Sequence, residues 1–271
     1  MNAQAQHVAP AASVADRARA VASLEQLYPV AASGHFVAGW NKKKPSLYRA
    51  PEVVFEPMHW RYADAHAVLE KAGDYIGTDL AERRNLVMYN PVGDNEYATV
   101  RTLVSAYQMV KPGEHARAHR HTPNALRLVL DAQPGLFTVV DGVKVPMLPG
   151  DVALTPNWSW HSHYHVGRGN AHWLDFLDVP LVHLLEPMFF ELLEGERQVE
   201  TAAPTEHPYY FPDAAIKAGL ARLAPNVHGA RTIDLACPSI PTMRLSMHGL
   251  EPGGGLPARR TTANRIFAIV A

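Results

Sequence analysis

At 271 residues the chain is long enough to bury a full-sized core, as one large domain or two small ones. Its 25 basic and 26 acidic residues leave a formal charge of -1, which excludes a long-range field for nucleic acid or an anionic membrane, so an anionic ligand must be captured locally. The single cysteine, Cys237, excludes an intramolecular disulfide framework; no secretory pattern opens the chain, and no apolar run approaches the ~20 residues that span a bilayer. These features predict a soluble, cytoplasmic protein with no membrane or nucleic-acid partner.

Residues 1–12 are alanine-rich, polar and aperiodic, and are expected to form a disordered tail. Ser13 is placed to cap a helix over Val14–Leu27, whose apolar residues recur at helical spacing and predict docking on a β core. A second helix is expected over Pro57–Ala72, ended near Gly73. The run AERRNLVMYNP then reads as a helix-to-strand transition. Arg83 and Arg84 stand at its entrance, one able to reach a carboxylate and the other on the surface.

From Ala98 the pattern changes to short Val-, Leu-, Thr- and Tyr-rich runs separated by Pro112-Gly113, Pro134-Gly135, Asp141-Gly142 and Pro149-Gly150. Strands spaced by roughly ten residues, with no helices between them, predict a mainly β antiparallel barrel or jelly roll. An amphipathic helix is expected over Val182–Leu193, and Thr201–Pro208 has a linker's composition. Ile240–Ala271 repeats the rhythm of the barrel's opening, with Ala258-Arg259-Arg260-Thr261 where the first copy has Ala118-His119-Arg120-His121-Thr122. The expected organisation is a tail (1–12), a helical and extended region packing on the barrel (13–97), a barrel (98–200), a linker (201–208) and a partial second barrel without metal ligands (209–271).

The chemistry concentrates between Gly113 and Asp178. His119 and His121 are two apart in a strand-like run, so both imidazoles point to one face, and His161 arrives one hairpin later to complete a three-histidine metal site. Buried imidazoles without matching acids are costly unless a metal ties them together. Arg127 shares the parity of His119 and His121 and faces inward; it is open to two roles, a fork onto a substrate carboxylate or an ion pair with Asp175. His115, His165, His172 and His183 read as structural histidines, and Trp158, Trp160 and Trp173 as packing residues.

The spacing Gly113-x5-His119-x-His121, followed by Pro-Gly-Asp and His161, resembles the cupin superfamily. The runs HRHTPNALR, GDVALTPNWSWHSH and WLDFLDVPLV resemble more closely its gentisate 1,2-dioxygenase family, which includes the salicylate and 1-hydroxy-2-naphthoate dioxygenases. The resemblance implies a bicupin of double-stranded β-helix (jelly-roll) barrels with N-terminal helices, whose second cupin is degenerate and incomplete here, assembled as a homotetramer. It also implies Fe(2+) in the first barrel, and a small aromatic hydroxy acid and O2 as partners. By the same resemblance His161 is the third ligand, His163 contacts substrate or oxygen, Asp175 lies in the pocket, and the face of Val104, Ala106 and Gln108 lies against the substrate ring. Many cupins add a glutamate ligand shortly after the histidine pair, whereas here Ala125 and Leu126 are apolar.

The expected activity is iron(II)-dependent cleavage of a 2-hydroxybenzoate between its carboxyl- and hydroxyl-bearing carbons. Val104, standing where relatives often have tryptophan, points to gentisate or a 5-substituted salicylate such as the 5-nitro or 5-chloro compound. A plain salicylate or 1-hydroxy-2-naphthoate dioxygenase, or a catalytically silent ligand-binding cupin, are the alternatives.

Overall fold

The computed structural model of the protein describes residues 12–200 and 207–270. The expected tail lies almost wholly outside these residues, as does most of the expected linker. Two compact units divide between Val53 and Val54, a boundary that differs from the one expected near residue 97.

In the first unit, the helix expected over Val14–Leu27 is two helices, α1 (Val14–Ala20) and α2 (Leu24–Ser33). Ser23 makes the break: its hydroxyl accepts the N–H of Gln26 and starts a new helix, as Ser13 does for α1 through Asp16. Arg17 donates across the pair to Ser33 (2.7 Å). Neither helix contains a buried residue.

The second unit opens with an extended segment before α3 (Tyr62–Gly73). The helix expected from Pro57 starts late because Trp60 packs against the main core and its carbonyl accepts the Tyr107 hydroxyl (3.3 Å), which holds the chain extended. Eight strands then follow β1 (Arg84–Met88): β2 (Val104–Val110), β3 (His115–His121), β4 (Ala125–Asp131), β5 (Leu136–Val140), β6 (Val143–Pro146), β7 (Val152–Thr155), β8 (His161–His165) and β9 (Ala171–Leu177). After them come α4 (Val179–Leu184), β10 (Phe190–Leu192), β11 (Tyr210–Phe211), α5 (Asp213–Ala221) and the hairpin β12 (Ala230–Leu235) and β13 (Leu245–Leu250). The expected turn glycines Gly113, Gly135, Gly142 and Gly150 all have positive φ. At Gly135 a side chain is excluded outright, because a Cβ would lie 2.4 Å from the Gly167 backbone nitrogen.

All pairings are antiparallel, in a six-stranded sheet of order β1-β2-β9-β4-β7-β11 and a five-stranded sheet of order β10-β3-β8-β5-β6. This is the expected jelly roll. Alternation divides the six-stranded sheet by chemistry. Its outer face carries Tyr107, Met109, Leu126, Leu128 and Leu174, which form the main core with Leu69 of α3, Ile216 of α5 and the inward residues of the β12–β13 hairpin. Its inner face carries Gln108, Arg127, Trp173 and Asp175 and looks toward the five-stranded sheet, where the His163 ring lies 5.6 Å from that of Trp173.

Two expectations beyond the barrel are corrected. The helix expected over Val182–Leu193 is the shorter α4; Glu186 takes a positive φ of 74° and Pro187 lacks an N–H, so the chain leaves the helix and adds β10 beside β3. The region 209–271 does not begin as a separate body, because β11 extends the barrel's own sheet on β7 and Asp151 accepts the N–H of Asp213 (2.8 Å). Among its described residues are a helix and a two-stranded sheet, and Ala258–Thr261 forms no strand.

Candidate metal centre

The three histidines meet because of a β-bulge. Along β3 and β8, Ala116 pairs with His163 and His119 with His161, so β3 spends one residue more than β8 over that interval. The extra residue reverses the alternation. His115 therefore faces outward and stacks on Tyr164 (5.9 Å), although it shares sequence parity with His119, while His119 and His121 turn into the barrel.

The His161 ring lies 4.2 Å from that of His119 and 4.7 Å from that of His121, and one donor nitrogen from each falls within 4.8 Å of the others. Each Nδ1 is committed to a backbone carbonyl: His119 to Arg117 (2.8 Å), His121 to Pro123 (2.8 Å) and His161 to Ser159 (3.0 Å). A carbonyl only accepts, so each Nδ1 carries the proton and each Nε2 keeps its lone pair. His161 Nε2 is buried with no hydrogen-bond partner. Burial pushes the pKa values of His119 and His121 down to about 4, Arg83 adding to the effect at His119. Burial and the two neighbouring histidines hold His161 well below the usual imidazole range. Three neutral imidazoles, oriented from behind, fit a divalent transition metal with coordination positions left open.

The opposite wall is a polar row across β2, β9 and β4, in which Ala106, Asp175 and Arg127 are register partners. Arg127 is 1% exposed; its Nε lies 3.2 Å from Asp175 Oδ1, and Nη1 donates to Thr155 Oγ1. The ion-pair geometry with Asp175 is thus present in the folded protein. Burial raises the Asp175 pKa, and Arg127 opposes that shift. Val104, opposite Leu177, continues the same face beyond Ala106, and Gln108 lies two residues the other way, its Oε1 buried without a partner. His163 is 1% exposed and neither ring nitrogen has a partner. Buried polar atoms are rarely left unpaired, so these side chains mark where a ligand's polar atoms belong.

The two arginines before β2 separate. The charge of Arg83 bears on His119, His121, His163 and Asp175, and its Nε is buried without a partner. Arg84 is neither on the surface nor in the barrel. It is 2% exposed, paired with Glu114 and bonded to the Ile76 carbonyl, where it braces the β2–β3 turn.

His165 fits its structural reading, with Nε2 2.6 Å from the Gly169 carbonyl oxygen. Trp173 is more than packing: its indole N–H donates to Asp175 Oδ1 (2.9 Å) and orients that carboxylate. Thr155 was not anticipated. Its signal was parity, because β7 places it opposite Ala125 on the inner face, two residues from Arg127.

Residues 106–177, which hold the three histidines, Gln108, Arg127, His163 and Asp175, match the cupin domain family. A gentisate 1,2-dioxygenase of Ralstonia sp. is 42% identical over 144 residues, which are 53% of this chain and 40% of that protein. A 5-aminosalicylate 1,2-dioxygenase of Comamonas sp. is 36% identical over 170 residues, 62% of this chain and 46% of that one. The chain thus spans less than half the length of these relatives. The crystal structure of a salicylate 1,2-dioxygenase from Pseudaminobacter salicylatoxidans superposes with a TM-score of 0.73 over 84% of this chain and 74% of that one, at 23% identity, and shares the fold. In sequence over the matched part of the chain, the protein is thus similar to gentisate, 5-aminosalicylate and 1-hydroxy-2-naphthoate 1,2-dioxygenases, and the barrel that holds the inward histidines is a cupin domain.

Proposed function

We propose that the protein is an iron(II)-dependent dioxygenase that opens the ring of a 2-hydroxybenzoate between its carboxyl- and hydroxyl-bearing carbons. The observation that carries this reading is the set of three neutral imidazoles with free Nε2 atoms, facing a wall that bears Arg127 and the nearby charge of Arg83. His119, His121 and His161 would hold the metal. When bound, iron(II) supplies open positions for a chelating hydroxy acid and a redox centre for reaction with O2.

The chain's own residues do the rest. Three neutral ligands contribute no negative charge, so the site attracts a carboxylate, and the guanidinium of Arg127, held by Asp175 and Thr155, gives that carboxylate a fixed cation. Arg83 adds charge from the β1 side. His163 is neutral, its pKa held well down by burial and by Arg127, so its unpartnered nitrogens serve as a hydrogen-bonding contact for substrate or oxygen. Gln108 Oε1 accepts from a ring substituent. Val104 and Ala106 leave space beside the ring for a 5-substituent, which favours gentisate or a 5-substituted salicylate. Residues 209–271, although β11 continues the first barrel's sheet, are read as a degenerate, metal-free cupin opening, and the active form as a homotetramer.

Oxygen uptake after anaerobic iron(II) loading tests the activity across gentisate, 5-nitrosalicylate, 5-chlorosalicylate, salicylate and 1-hydroxy-2-naphthoate. Uptake matched one-to-one by loss of ring absorbance, and lost in His119→Ala, is expected. A folded, iron-loaded protein that binds these acids without uptake would instead be a silent ligand-binding cupin. Val104→Trp should penalise the 5-substituted acids more than salicylate; an equal loss on all of them would remove the argument from pocket size.

A further inference from the structure

A second set of metal-ligating side chains converges outside the barrel, between α3 and the outer face of the six-stranded sheet. His66 and Glu70 are four apart on α3 and share a helix face. His172 lies on β9 opposite Asp131, the last residue of β4, beside a second bulge: Val129 pairs with Trp173 but Asp131 with His172. The extra residue on β4 brings Asp131, whose parity would otherwise point it inward, onto the outer face with His172.

One donor atom each from His66, Asp131 and His172 falls within 4.8 Å of the others, and the two histidine rings are 4.6 Å apart. Glu70 Oε1 is 3.1 Å from His172 Nε2, while its other oxygen accepts from Asn170 Nδ2 (2.8 Å), which aims the carboxylate into the cluster. His172 is 1% exposed, yet neither of its ring nitrogens has an aligned hydrogen-bond partner, Glu70 included. An imidazole desolvated to that degree without a bond at either nitrogen is costly unless something else occupies the lone pair.

We propose that His66, Glu70, Asp131 and His172 form a second metal site, for Zn2+ or a similar divalent transition ion, that clamps α3 to the barrel. Two imidazoles and two carboxylates make a neutralising, four-donor set of the kind that closes a structural zinc site. Ligand atoms on a tetrahedral zinc at about 2.0–2.1 Å lie about 3.3 Å apart. The Glu70–His172 contact is already near that spacing, and the donors of His66, Asp131 and His172 stand within 4.8 Å of one another, so metal binding would draw the four side chains together. Asn170 acts on Glu70 as an outer-shell partner. This site makes no use of the barrel histidines, so it stands or falls independently of the proposed ring cleavage.

The test counts metal. Iron-free protein is dialysed against micromolar Zn2+ and metal per chain is measured, in parallel with Co2+ as a spectroscopic probe of tetrahedral geometry. Wild type should retain two equivalents, and His119→Ala/His121→Ala one, that one giving an intense tetrahedral Co2+ spectrum. His66→Ala should also retain one equivalent, and lack that spectrum. Asp131→Asn, an exposed and isosteric change, should weaken the second equivalent more than about tenfold in chelator competition, and it decides the matter should His66→Ala fail to fold. A single equivalent in wild type that is lost in His119→Ala/His121→Ala and kept in His66→Ala, or no loss of metal from either His66→Ala or Asp131→Asn, overturns the proposal.

Discussion

The histidine cluster inside the barrel and the one beneath α3 have opposite charge. Inside, three neutral imidazoles are approached by Arg127 and Arg83, so a bound cation keeps its full charge and anions are attracted. Beneath α3, Glu70 and Asp131 accompany His66 and His172, and a divalent cation there would be neutralised with no donor position to spare. An open, cationic centre suits the recruitment of an anionic substrate, whereas a closed, neutral one suits bracing of the fold. In both places a bulge of one residue turns a ligand onto the face where its partners stand, which is what the irregularity accomplishes in each strand.

The sharpest way to break this contrast is at His161, which touches both other rings. His161→Ala should abolish metal retention in the barrel and reduce the proposed ring cleavage to background, read by metal analysis and oxygen uptake, and leave zinc retention at the proposed site beneath α3 unchanged. Next in size is the buried pair on the opposite wall. Arg127→Met leaves Asp175 desolvated without its cation and should cost about 3–5 kcal/mol in urea unfolding, while adding Asp175→Leu should recover most of that loss. The half-exposed Glu70 offers the comparison: Glu70→Gln in metal-free protein should cost less than about 1 kcal/mol.

Acid titration sharpens the contrast further. In metal-free protein, His119 and His121 titrate near 4 when folded and near 6.5 when unfolded, so between these values the unfolded chain binds more protons. The contribution of these two histidines is therefore full above pH 6.5 and is lost on acidification toward pH 4, by up to about 1.4 kcal/mol per pH unit for each histidine. Urea melts at pH 7, 5.5 and 4.5 should show the slope, and a His119→Phe/His121→Phe variant should flatten it. An intermediate effect concerns Trp173: Trp173→Phe removes the indole donor to Asp175 and should cost about 1–2 kcal/mol in urea unfolding and lower kcat/KM, because Asp175 is less firmly oriented toward Arg127.

Much of the barrel was legible because its signals are local. Glycines at turns announce a positive φ, and the His119-x-His121 spacing announces one shared face wherever it is embedded in a strand. The second cluster had no such signature. His66 and Glu70 come from a helix, Asp131 and His172 from two strands brought together in the fold, and the bulge that aligns Asp131 is a property of paired strands rather than of one segment. The same limit explains Arg83 and Arg84. Adjacent residues in an extended chain point apart, but only Glu114 and the Ile76 carbonyl determine which of the two is spent on structure. It also explains residues 209–270, where a strand-like rhythm similar to the barrel's opening yields one hairpin, because a ladder forms only where a neighbouring strand offers its backbone.

By itself, the sequence determined the antiparallel barrel, the turns that punctuate it and the pair of imidazoles on one face, since alternation and backbone sterics act within a few residues. The tertiary structure alone decided that a bulge turns His115 off that face, which of its two open roles the Arg127 geometry meets through Asp175 and Thr155, and that α3 begins at Tyr62 rather than Pro57. Each of those outcomes rests on register or burial against residues distant in the chain, whose free energy no single segment carries.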